Sequence, residues 1–72
     1  MDSDEDRALR RQIIDEVSLL VARAEREGAM ILVLIEAKRI RDKYPSNPMP
    51  LSKIEDAITR LAMERKLSVR FS

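Results

Sequence analysis

Apolar side chains recur along this chain at two different periods, and the change of period marks out its segments. Over residues 4–27, Ile13, Val17, Leu20 and Ala24 step by four, three and four, which places them on one face of a helix. Ser3 is suited to cap this helix, and Asp4, Glu5 and Asp6 fall at the positive end of its dipole. Gly28 follows the last turn, where a glycine ends a helix without steric cost. The stripe serves either the core of a monomer or a short coiled-coil seam between two chains.

Over residues 29–43 the spacing repeats: Val33, Ala37, Ile40 and Tyr44 step by four, three and four. Residues 30–35 are apolar on all sides, a pattern that a buried strand shares. The helix formers after them predict a helix whose first two turns are buried. Pro45 biases Tyr44 away from helical backbone and ends the element. Residues 45–50 hold three prolines and form a stiff connector.

Ser52 and Glu55 then form an S-x-x-E capping box, and Ile54, Ala57, Ile58, Leu61 and Ala62 give an apolar stripe. This third helix is expected to run to about Lys66. Beyond it, Leu67, Val69 and Phe71 alternate with polar residues, the period of a strand. A lone strand needs a partner. A second copy or a short segment elsewhere in the chain would supply one, or the tail lies extended on the core. The expected fold is all-α or α-dominated: three helices with a short C-terminal β segment.

The length, 72 residues, is room for one small domain. Domains of this size often add a staple. With no Cys and no His, disulfides and the usual zinc sites are excluded, so no metal and no cofactor are expected. Tight helix packing or self-association remains. The net charge of +1 conceals an asymmetry. Residues 1–35 hold five arginines against eight carboxylates; residues 36–72 hold nine basic side chains against five acidic ones. The basic half favours an anionic partner. The acidic N-terminus is unlike a signal peptide, and the apolar run at residues 29–35 is too short for a membrane span. A cytoplasmic setting without membrane contact is the expectation.

Catalytic chemistry finds little to use. Nucleophile–base pairs of the usual kind need Cys or His. Asp15 and Glu16 are neighbours in sequence and point about 100° apart on a helix, so they do not face each other. One glycine cannot build a phosphate-cradling loop. A calcium loop starting at Asp2 would need Gly and Glu where Arg7 and Ile13 stand. A non-enzymatic role is expected. The basic cluster Lys38, Arg39, Arg41 and Lys43 includes Asp42 and reads as a solvated helix end.

The segment Ser52-Lys53-Ile54-Glu55-Asp56-Ala57-Ile58-Thr59-Arg60-Leu61, followed by Glu64-Arg65-Lys66-Leu67-Ser68-Val69-Arg70-Phe71, resembles the end of a winged helix-turn-helix domain. The resemblance covers about residues 51–71. It implies a regulatory DNA-binding module whose third helix enters the major groove. Lys53, Thr59 and Arg60 would face DNA, Ser52 would lie near a phosphate, and Lys66 and Arg70 would touch the backbone. The proline connector stands where the family has the helix before the recognition helix, and one strand alone does not close a two-stranded wing. The alternative is a protein-interaction or homodimerisation module without nucleic-acid binding. Its partner would be a second copy or another protein, met by exposed apolar residues among Met30, Met49, Met63, Val69 and Phe71.

Overall fold

A computed structural model describes residues 4–71. The elements in chain order are helix α1 (Asp4–Glu27), strand β1 (Ile31–Leu32), helix α2 (Val33–Lys43), helix α3 (Leu51–Glu64) and strand β2 (Val69–Arg70). The fold is α-dominated, as the periodicity predicts. The expected cap at Ser3 lies outside the described residues.

Three faces meet in one core. Ile13, Val17, Val21 and Ala24 come from α1; Val33, Ala37 and Ile40 from α2; Ile54, Ile58 and Ala62 from α3. Ile31 of β1 completes it. Val21 replaces Leu20 as the buried member of the expected α1 stripe, and Leu20 is half-buried against the core. The buried face of α1 packs chiefly against α3. The seam read as a candidate coiled coil is thus occupied inside the monomer. Burial on α1 begins at Ile13, so its first nine residues run past the core.

The second element departs from expectation. Residues 29 and 30 are irregular, Ile31 and Leu32 are a strand, and the helix starts only at Val33. The all-round apolar stretch is split between a strand and a helix. The Ile31 amide donates to the Ser68 carbonyl at 3.0 Å, and β1 pairs with β2 in parallel, Ile31 opposite Val69 and Leu32 opposite Arg70. The alternating tail therefore finds its partner within the chain.

α3 also starts differently. Its N-cap is Pro50, with φ −69° and ψ 159°, and no side chain caps the helix. The Pro50 carbonyl accepts from the amides of Lys53 (3.0 Å) and Ile54 (3.3 Å). Ser52 lies one residue inside the helix, so the capping box does not form. Proline has the fixed φ that an entry to a helix needs, and starting at Leu51 brings that side chain half-buried onto the core. The connector is tightened by Asn47. Its side-chain amide donates to the Tyr44 carbonyl (2.8 Å), and its side-chain oxygen accepts from the Met49 amide (2.6 Å).

α1 and α3 end in the same way. The Ala29 amide donates to Ala24 (2.9 Å) and the Gly28 amide to Glu25 (3.4 Å); the Leu67 amide donates to Ala62 (2.9 Å) and the Lys66 amide to Met63 (3.0 Å). Both are six-to-one and five-to-two closures around a left-handed residue, Gly28 at φ 65° and Lys66 at φ 58°. α3 thus stops at Glu64, two residues short of the expected end, because Lys66 turns the backbone out of the helix.

Candidate functional site

The six residues expected to contact a nucleic acid fall into three places. Lys53 and Arg60 are two turns apart on α3, about 20° from each other around its axis at 100° per residue. Both are exposed and line a groove of about 390 Å³ between α1 and α3. Ser52 and Thr59 sit on another flank of the helix, about 100° away. The Thr59 hydroxyl donates to the Glu55 carbonyl (2.9 Å), a bond within its own helix. Lys66 and Arg70 lie beyond α3: Lys66 forms the left-handed cap, and Arg70 pairs with Leu32 in the sheet. The six residues are thus spread over two flanks of α3 and the segment that follows it.

The groove has an apolar lining and a charged rim. Ile14, 45% exposed, and Val17 come from α1; Ala57 and Leu61 come from α3, and Met49 from the connector. The rim carries Lys53, Asp56, Arg60 and Glu64 in alternating sign. None of the four takes part in the ion pairs seen among the described residues. Glu64 has no role in the sequence reading, although the four-residue steps from Asp56 to Arg60 to Glu64 put it on the same stripe. Ile14 carried a signal too: it is apolar, yet lies one residue off the α1 stripe.

The basic cluster on α2 is largely neutralised. Arg39 pairs with Glu36 (3.0 Å), Arg41 with Asp42 (3.4 Å) and Lys43 with Glu16 (2.6 Å). The Tyr44 hydroxyl also donates to Glu16 Oε1 (3.1 Å), and the Lys43 ammonium lies 5.7 Å from the Tyr44 ring centre. This knot ties the end of α2 to α1. The Lys43 hydrogen bond holds the Glu16 carboxyl below its ordinary range; partial burial opposes it and the Tyr44 bond adds to it. Glu16 in turn raises Lys43, while burial and then the Glu16 bond raise Tyr44.

Of the apolar residues considered for a contact patch, Met30 and Phe71 are exposed and Met63 is 66% exposed, whereas Met49 and Val69 are half-buried against the core. Among the described residues no group of carboxylates is arranged to hold a metal ion, and no helix is long and apolar enough to cross a membrane. Comparison with protein-family models, with curated proteins and with solved structures gave no match.

Proposed function

We propose that this chain is a non-enzymatic protein-interaction module that works in the cytoplasm, and that the groove between α1 and α3 is its contact surface. The observation that carries the reading is the rim of α3. Two cations alternate with two carboxylates beside open apolar surface. A polyphosphate would be repelled by Asp56 and Glu64 as it approached Lys53 and Arg60. A protein surface of mixed charge would meet both signs and cover the apolar lining.

A second reading, a regulatory DNA-binding module of winged-helix type, is favoured by the chain order. A strand stands between α1 and α2 and pairs with the strand after α3, so α2 and α3 form a helix pair closed by a sheet. In this reading α2 would serve as the helix before the recognition helix, with the proline connector between them. Lys53, Thr59 and Arg60 would then face the major groove, with Ser52 near a phosphate and Lys66 and Arg70 on the backbone.

Titration of a labelled mixed-sequence duplex at low and at physiological salt separates the two. The interaction reading expects no binding at low salt, where phosphate contacts are strongest. Salt-dependent binding that is lost in Lys53→Ala with Arg60→Ala would overturn it in favour of DNA.

A further inference from the structure

We infer that the occupant of the α1–α3 groove is a second copy of this chain, packed α3 against α3 in antiparallel about a two-fold axis. The inference rests on the interaction reading and names its partner.

The argument is one of charge order. Along its exposed flank α3 reads Lys53, Asp56, Arg60, Glu64: plus, minus, plus, minus. Reversed, the same stripe reads minus, plus, minus, plus. Two antiparallel copies therefore set Lys53 against Glu64 of the second copy and Asp56 against its Arg60, and the two-fold axis repeats each pair. A parallel, in-register pairing would put like charges together at every position. The stripe is complementary to its own reverse.

Two further observations fit the same partner. Asp56–Arg60 and Arg60–Glu64 have the four-residue spacing of helical ion pairs, yet neither pair closes within the chain. The charges remain available to a partner. Between them lie Ala57 and Leu61, and Ala57 is small enough to let two helix axes approach to the 8–10 Å of ordinary helix packing. Ile14 and Met49 flank the contact. The product is a four-helix arrangement with α3 and its copy in the middle and the two α1 helices outside. α3 has only 14 residues, so the contact is small and the dimer reversible.

Sedimentation equilibrium of the full chain, up to about 1 mM at the weak end of specific affinities, tests the idea. A monomer–dimer equilibrium is expected. Lys53→Glu with Arg60→Glu makes the stripe wholly negative, and Asp56→Lys with Glu64→Lys makes it wholly positive. Each variant alone should associate at least about tenfold more weakly, and an equimolar mixture should recover the dimer. Circular dichroism checks that both remain helical; all four sites are exposed. A cross-link in otherwise native chains reports orientation, and the chain has no Cys to interfere. Lys53→Cys mixed with Glu64→Cys should give the mixed disulfide over either homodimer.

A native chain that stays monomeric throughout, a dimer indifferent to both charge reversals, or preferred Lys53→Cys homodimers would overturn the inference. Monomer without DNA binding overturns the self-association alone. Duplex binding through Lys53 and Arg60 overturns the interaction reading beneath it.

Discussion

Gly28 and Lys66 hold equivalent places. Each has a left-handed backbone, closes a helix, and stands three residues before one of two strand residues, Ile31 and Val69, that pair with each other. The chain uses the same helix–cap–strand unit twice and lays the two strands side by side in parallel. The C-termini of α1 and α3 therefore meet at the sheet, where Arg65 Nη1 reaches Glu25 Oε1 at 2.9 Å. That ion pair is about half exposed on both sides and adds little stability. The backbone closures carry the arrangement.

The equivalence predicts opposite responses at the two caps. Lysine at positive φ bears a steric cost that glycine does not, so Lys66→Gly should raise stability by about 1 kcal/mol. Gly28→Ala should lower it by about 1 kcal/mol. A Cβ at position 28 would meet nothing within 4 Å, so that loss is one of backbone conformation alone. Urea unfolding with unchanged slope measures both. A Lys66→Gly variant no more stable than the parent would contradict the left-handed cap.

Ser52 lies inside α3 with no capping bond. Ser52→Ala should change stability by less than about 0.5 kcal/mol, whereas loss of a capping box would cost about 1 kcal/mol. Thermal unfolding followed at 222 nm, the wavelength of the helix signal, distinguishes the two.

Burial separates two residues on one helix. Ile58 is wholly buried, and Ile58→Val should cost about 0.5–1.5 kcal/mol. Met63 is exposed, and Met63→Ser should stay within about 0.5 kcal/mol. Comparable losses at the two positions would argue against this orientation of α3.

The Glu16–Lys43–Tyr44 knot gives stability a pH dependence at both ends. Glu16 is depressed in the folded chain, so its contribution is present above the ordinary carboxylate range and is lost as pH falls through the lower folded value. Lys43 and Tyr44 are raised, so theirs are present below their ordinary values and are lost as pH climbs through the higher folded ones. Tyr44 is the one tyrosine in the chain and there is no Trp, so ultraviolet titration reads it directly. Glu16→Gln should lower the Tyr44 midpoint part of the way back, because burial remains as the larger cause. An unmoved midpoint would mean that Tyr44 does not engage Glu16.

Much of the architecture was legible in residue spacing, because a helix face is a local property. Steps of three and four identified Ile13, Val17 and Ala24, then Val33, Ala37 and Ile40, then Ile54, Ile58 and Ala62, and every one is buried. The α1 helix was read with the bounds it has. The capping box misled because the helix begins before it: Pro50 takes the N-cap position and Ser52 falls inside the first turn. The candidate site was less legible. Lys53 and Arg60 were legible as exposed cations, but the apolar opening they rim exists only where α3 meets α1.

Period and composition alone determined the three helices, their inward faces and the absence of the Cys and His that disulfides and the usual zinc sites require. They also marked residues 67–71 as extended. Tertiary structure decided what that segment pairs with. Residues 30–35 are equally apolar to helix and strand, and only the arrival of Ser68 and Val69 alongside gave Ile31 and Leu32 the hydrogen-bonding partner that makes a strand. A helix satisfies its backbone within its own sequence, whereas a strand depends on residues that the fold brings from elsewhere.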